Sequence, residues 1–572
     1  MKGEAIKYGG EKCNEAIAEL FNQIFEMHET IPELKTGHLF PMNKPLKPPI
    51  AEQTRPLVFL IALRKVLSTI TLIRIMPAVE RFVSLSQHAY RARRSTTEII
   101  MNMQWIRATM EAYDERARIM GLDLSKAFDC LDRNKLIDMI RHYELATEDD
   151  LRIITFLLAE TTLRVKVNGK LGEIFQTLIG TPQGDALSCV LFIIYMEVIL
   201  RTYAGKEKYM KIGQNEQTLE YADDVQLYLR ETKTERTERL TIRQHDDECP
   251  CINCRAAGLL RTIPAHFATY NMKVNPEKTT DDVIATKICT LRKVLGSEIA
   301  GERELSLRKR KAESAYNGQM NIWKHKSISE AAKIKIFKVT VQCHYTQSGA
   351  AIVMKKRELD KMDTHQRSLL RRLLGIFYPA RIGNIELYQR AHTTPVSVQI
   401  KNARWRFLGH VFRLDENIPL FRSMKEYFKT RQGFIPEPRR KKTRRGRLLT
   451  TIARILDKDL KDFAYSAHHF GTGQLTEGTH LLLLRASAQN NEHWTNATEC
   501  MKEDDMKNWT TKAKEETATR HTRARRAARQ PQMDQPEQEP ALQAPIPVVL
   551  RVTGGAIRRP RGRPKGSKNK PK

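Results

Sequence analysis

Residues 218–229, TLEYADDVQLYL, constrain the chain more than any other stretch. Apolar and polar side chains alternate on both sides of Ala222-Asp223, the period of a half-buried strand, so the segment predicts two strands joined by a tight turn. That turn sets Asp223 beside Asp224 with no glycine to relieve them. Two like charges held there want a cation, although aspartate is also a common residue of ordinary turns and the local composition fits both readings.

A third carboxylate stands upstream. The strand-like stretch RIMGLDL ends near Asp123, just before Ser125, which is placed to cap a helix reading KAFDCLDRNKLIDMIRHY. Three carboxylates from two neighbouring strand ends suit Mg²⁺, which takes hard oxygen ligands and shares them with phosphates. Two such ions serve in-line attack on a phosphate by activating a hydroxyl and steadying the leaving group. Asp129 and Asp132, on the following helix, fit capping or solvated positions instead. Between the aspartates lies GTPQGDALS, Gly180 to Ser188, running into the apolar helix CVLFIIYMEVIL. Glycine there permits close backbone approach to a ligand, while Asp185 or Ser188 also reads as a plain helix cap.

Around these motifs the pattern is α+β. Long helical periodicities fill residues 55–145, strand alternation recurs at LRVKVNG, and the short strands are expected in one sheet with helices around it. After about residue 305 the strand signals fade into helices. Lys and Arg number 97 against 66 Asp and Glu, a net charge of +31, and such a field attracts polyanions and releases their counterions. Nucleic acid is the expected partner and a membrane is not: the longest apolar run, 189–200, falls short of the roughly 18 residues a spanning helix needs and is interrupted by Glu197. The N-terminus has no secretory pattern, so the nine cysteines are expected reduced.

The order and spacing of Leu122-Asp123-Leu124-Ser125-Lys126-Ala127-Phe128-Asp129, then GTPQGDALS, then YADD resemble the palm motifs of reverse transcriptases, with the nearest likeness among non-LTR, LINE-type retrotransposon enzymes, over about residues 38–465. The resemblance implies a right-hand polymerase copying RNA into DNA, its small antiparallel sheet followed by a helical thumb. It implies that Asp123, Asp223 and Asp224 hold two Mg²⁺ ions, with Mn²⁺ as an alternative, and that Lys278 in Asn-Pro-Glu-Lys-Thr protonates pyrophosphate. Phe128 would exclude a ribose 2′-hydroxyl; Gln183 and Gly184 would meet the nascent pair and template. Arg55, with Arg64-Lys65 behind it, and Arg91, with Arg93-Arg94, resemble finger motifs that present cations to template and triphosphate. Leu295-Gly296 resembles a primer-grip turn. The partners implied are an RNA template, a DNA primer or target, and deoxynucleoside triphosphates.

The expected divisions are a lead-in at 1–50, fingers and palm at 51–304, thumb at 305–400, a helical and basic region at 401–510, and a disordered basic tail at 511–572. Trp405 to Asp415 resembles a tail found after the thumb in several of these lineages. Two features fall outside the polymerase pattern. His245, Cys249, Cys251 and Cys254 offer four soft-metal ligands within ten residues, a candidate structural Zn²⁺ set or a loop of reduced thiols. Arg559-Pro560-Arg561-Gly562-Arg563-Pro564-Lys565 resembles an AT-hook, implying A·T-rich duplex as a partner and a nuclear location, with a cytoplasmic ribonucleoprotein stage as an alternative. No endonuclease pattern is found, so the chain is expected to be a fragment or partial element. The competing readings are a decayed or repurposed nucleic-acid-binding protein and, further off, an intron maturase.

Overall fold

The computed structural model describes residues 3–26, 31–43, 54–206, 218–231, 233–241, 251–285, 289–291, 293–299, 303–428, 450–461 and 478–529, with single positions between them. Backbone packing divides the chain into two units, residues 1–513 and residues 514–572. In the described part of the second unit the backbone continues the helix Asn491–Arg529.

Strands collect into two four-stranded sheets and a two-stranded ribbon, not the single sheet expected. The first sheet, ordered β2-β1-β4-β5, comprises β1 (Thr36–Asn43), β2 (Thr54–Leu60), β4 (Thr161–Val167) and β5 (Lys170–Thr177). LRVKVNG therefore lies apart from the aspartates. The reason is pairing partners: β4 runs parallel to β1, a strand hidden in a stretch whose Gly37 and Pro41 mask its alternation. The second sheet, ordered β6-β7-β3-β8, comprises β3 (Arg116–Leu122), β6 (Thr218–Tyr221), β7 (Asp224–Glu231) and β8 (Thr280–Ala285), all antiparallel. The ribbon joins β9 (Lys293–Val294) to β10 (Ser297–Glu298) around Leu295-Gly296.

The second sheet is covered on both faces, and strand alternation sorts its side chains between two cores. On β3, Met120 and Leu122 enter one core with Val225, Leu227 and Leu229 of β7 and the helices Ala186–Lys206 and Ile252–Ala268. Ala117 and Ile119 enter the other core, with the helices Thr96–Tyr113, Val396–Phe412 and Pro419–Phe428. Residues past 401 thus wall the same sheet that carries the aspartates. The helix beginning at Ala186 is long and apolar enough to cross a membrane by length and composition, yet most of it is buried between sheet and helices. A third core, from Ala312 to Ile400, is built by helices and the segments joining them, with no strand among its members.

The helix expected over 126–143 is broken. Lys126 takes a positive φ of 51°, a four-residue turn follows at Ala127–Cys130, and a new helix starts at Arg133. Ser125 is not its cap; Asp132 is, accepting the N–H groups of Asn134 and Lys135.

Candidate active site

The aspartates are placed by strand register. Leu122 of β3 pairs with Val225 of β7 at the end of their antiparallel ladder, so Asp123 and Asp224 are the next residues past that last pair, and the charge of Asp123 acts on Asp224. Asp224 in turn pairs with Tyr221 across a two-residue turn, Ala222-Asp223, so the third carboxylate rides at the tip of that hairpin. Ala222 has φ 57°, a conformation that two-residue hairpin turns usually give to glycine or asparagine. Gln87, 1% exposed, holds it there: its Oε1 accepts the Ala222 N–H at 3.0 Å. The same oxygen accepts Ala89 N–H at 2.9 Å. Backbone bonds from His88 N–H to Glu220 O (2.9 Å) and from Glu220 N–H to Ser86 O (3.0 Å) tie residues 86–88 to the edge of β6 by a single parallel bridge at Gln87.

Packing the carboxylates this way suppresses the ionisation of Asp223 and Asp224. Burial, reinforced by the charges of Asp223 and Asp123, pushes the Asp224 carboxyl up to about 6. Asp223 is raised by burial and by Asp123, against the opposing pull of its own backbone N–H and of Arg55. The site is short of positive charge, which a hard divalent cation would supply. Lys278 Nζ stands 3.4 Å from Asp123 Oδ2, and the Asp123 carbonyl accepts Asn275 N–H at 2.8 Å. The donor set, three hard carboxylates, fits Mg²⁺ by chemistry.

Other predicted residues gather at the same end of the sheet through the GTPQG turn. Gly184 has φ 127°, and a Cβ on it would lie 2.5 Å from Val58 O. The turn is pinned to β2 by Val58 N–H donating to Gln183 O at 2.8 Å. Gly180, φ 77°, sits equally close on Asp129, where a Cβ would meet its carbonyl at 2.7 Å. The Gln183 amide donates to Asp129 Oδ1 at 2.9 Å. Phe128 is half-buried and stacks on Phe192, ring centroids 4.1 Å apart. Arg55 opens β2, exposed and close enough to act on Asp223. Asp185 proves to be a buried cap, accepting Leu187 N–H at 3.3 Å and the Ser68 hydroxyl at 2.8 Å.

Arg91 is placed otherwise than expected. Its side chain is 5% exposed, paired with Glu80 at 2.7 Å and donating to the carbonyls of Ser84 and Gln87. A guanidinium so engaged braces the loop around Gln87 and is not free to meet a triphosphate. Arg94 is similarly committed to Glu98 at 3.0 Å, and Arg64 to the carbonyls of Leu34 and Leu157. The sequence pattern marks neither Gln87 nor Arg133 as part of the site. Yet Arg133 donates to the carbonyls of Thr177, Ile179 and Gly180, and fixes the approach to the turn. Burial, with Arg64 nearby, brings its guanidinium down to about 10. No local pattern marks a residue whose partners lie over forty positions away, as Gly180 does. His245 and the AT-hook-like residues Arg559 to Lys565 lie outside the described residues.

Residues 43–298 match the family model described as reverse transcriptase (RNA-dependent DNA polymerase). The chain carries an RNA-directed DNA polymerase domain. All three aspartates, the GTPQG turn and Lys278 fall inside that span, so this reverse transcriptase domain contains the whole carboxylate end of the second sheet. Among solved structures, the telomerase of Candida tropicalis in complex with a TWJ fragment of telomeric RNA is 10% identical, with 71% of this chain and 67% of that one covered at a TM-score of 0.34. The telomerase of Candida albicans with the corresponding RNA fragment is 11% identical, with 66% and 64% covered and a TM-score of 0.32. The chain thus spans about two thirds of the length of either, and both superpose loosely.

Proposed function

We propose that this reverse transcriptase is the polymerase of a non-LTR retrotransposon, extending a DNA primer along an RNA template from deoxynucleoside triphosphates. The observation that supports the reading best is the gathering of Asp123, just past the end of β3, with Asp224 at the start of the neighbouring β7 and Asp223 at the adjoining turn. Asp123, Asp223 and Asp224 would hold two Mg²⁺ ions. Bound there, the ions would lower the pKa of a primer 3′-hydroxyl and balance charge on the departing pyrophosphate. The chain's own residues do the rest. Lys278, beside Asp123, is poised to give a proton to pyrophosphate. Phe128, fixed by its stack on Phe192, limits the room at the sugar's 2′ position. Gly184 lets the backbone lie close where the template pair would pass, and Arg55 supplies an exposed cation opposite the aspartates. In this reading the two sheets are fingers and palm, and the strand-free core from Ala312 to Ile400 is the thumb. The basic C-terminal motif Arg559 to Lys565 would tether the enzyme to A·T-rich duplex in the nucleus.

Primer extension on an RNA template with Mg²⁺ and deoxynucleotides tests this directly. The intact chain should extend the primer and Asp223→Asn should not, while both bind RNA equally. Equal extension by the two would overturn the metal assignment. No extension by either, with RNA binding retained, would instead favour a nucleic-acid-binding protein that has lost catalysis.

A further inference from the structure

A second cluster of metal-ligating side chains lies away from the carboxylates. Cys249, Cys251 and Cys254 bring their sulfurs within 4.8 Å of one another, and the first two are buried, at 5% and 6% exposure. They stand at the start of the helix Ile252–Ala268, which packs on the second sheet. A tetrahedron with metal–sulfur bonds of about 2.3 Å needs sulfurs roughly 3.8 Å apart, so small side-chain rotations would close the trio onto an ion. Soft thiolates at Cys-x-Cys-x₂-Cys spacing select zinc over the hard cation that the aspartates suit.

The surroundings favour thiolate. Cys251 caps the helix, its sulfur accepting the Cys254 N–H at 3.4 Å. Zinc takes its cysteine ligands as thiolates, releasing their protons on binding. Three thiolates on Zn²⁺ carry one net negative charge, and two guanidiniums stand ready to balance it. Arg118 and Arg255 both act electrostatically on Cys251, and Arg255 Nη2 is buried with no hydrogen-bond partner. Arg118 also donates to Asn253 Oδ1 at 2.9 Å and pairs with Asp281 of β8. It belongs to β3, the strand that ends at Asp123.

We propose that Cys249, Cys251 and Cys254 bind a structural zinc ion that fastens the start of the helix Ile252–Ala268 to the strand bearing the first catalytic aspartate. The site is independent of the polymerase reading, since its ligands and its metal differ from those of the carboxylates. One corner of the tetrahedron is left to water or to a fourth side chain.

The test is elemental analysis of the full-length chain, purified without chelators, together with Co²⁺ substitution in the reduced protein. One zinc per chain is expected, along with the intense sulfur-to-cobalt charge-transfer absorption that carboxylate ligands do not give. Cys251→Ser should lower the zinc content at least tenfold, whereas Cys343→Ser, at an exposed cysteine elsewhere, should leave it unchanged. Absence of zinc from the intact chain with no thiolate–cobalt absorption would overturn the proposal, and so would a Cys251→Ser protein that keeps its zinc. The measurement on the intact chain decides the matter even where a variant fails to fold. An intact chain that extends primers but holds no zinc would reject this site and leave the polymerase reading standing.

Discussion

Gln87 Oε1 accepts the backbone N–H of Ala222 at 3.0 Å, which ties a buried side chain to the turn that carries Asp223. The turn needs the tie. Ala222 is held at a positive φ that costs an L residue about 1–2 kcal/mol, and its N–H, if left without an acceptor, would cost a similar amount again.

Gln87→Ala should therefore cost about 1–3 kcal/mol of stability and lower kcat more than it raises KM, because the carboxylates would be misplaced with the nucleotide contacts left intact. Gln87→Glu keeps the accepting oxygen and should recover part of the loss, although it sets a second carboxylate beside Glu220, which Gln87 Nε2 approaches at 3.3 Å. Steady-state primer extension and a thermal melt would check both. A Gln87→Ala protein with wild-type kcat would show that the turn holds its shape unaided.

Gly184→Ala should be among the most damaging small substitutions. A Cβ there would lie 2.5 Å from Val58 O, a backbone atom that cannot rotate away, and the φ of 127° is strained for any L side chain. A loss on the order of 3 kcal/mol is expected, with the GTPQG turn pushed off β2. Gly169→Ala is the control: it also has positive φ, at 80°, but meets nothing within 4 Å. Melting temperatures of the two variants should separate clearly; equal shifts would mean that backbone strain alone, rather than the contact with β2, sets the cost.

How much of this was open to sequence reasoning depended on the distance over which the signal acts. Alternation around Ala222-Asp223 is local, so the hairpin and its two aspartates were legible, and the strand ending at Asp123 was found the same way. The partners of Gln87 and Arg91 were not. A run such as Arg91-Ala92-Arg93-Arg94 shows abundant positive charge but not which guanidinium turns inward, and only the folded loop puts Glu80 against Arg91. The break at Lys126 was missed for a related reason. The helical period continues across it, while Phe128 and Asp129 are held by the GTPQG turn through the bond from Thr181 N–H to Phe128 O. The first sheet stayed hidden because β1 carries a glycine and a proline and pairs with a strand more than 120 residues away, a partner no local window includes.

Asp363 should make the helical core from Ala312 to Ile400 sensitive to pH. It is buried, accepts the N–H of Ser397 at 2.9 Å and its hydroxyl at 2.6 Å, and burial nevertheless pushes its carboxyl up to about 6. A carboxyl with a folded pKa above its unfolded one holds its proton more tightly when folded. Its contribution to stability is therefore full below about pH 4 and is lost as pH rises through about 6. The melting temperature of the wild type should accordingly fall across that window more than that of Asp363→Asn, by an amount corresponding to up to about 3 kcal/mol. Parallel profiles for the two proteins would show that Asp363 is ionised at no cost in the fold.

Trp494 tests whether the region past residue 401 is an appendage or part of the sheet's own wall. It is 1% exposed, donates its indole N–H to Trp405 O at 2.9 Å, and lies so close to Gly409 that a Cβ there would meet its ring at 2.2 Å. Trp405 belongs to the core that also holds Trp105, Ile119 and Ile284, so the indole reaches the aspartate-bearing sheet through one intervening helix. Trp494→Ala should cost about 3–5 kcal/mol, and Gly409→Ala should also destabilise the protein, because neither the ring nor the helix backbone can retreat. A chain stopped at residue 400 would leave the apolar face of the helix Thr96–Tyr113 uncovered, and it should aggregate instead of giving a smaller active polymerase. Thermal melts of the two variants and size-exclusion chromatography of the shortened chain supply the readouts. A soluble, primer-extending chain of 400 residues would mean that the carboxylate sheet stands without that wall.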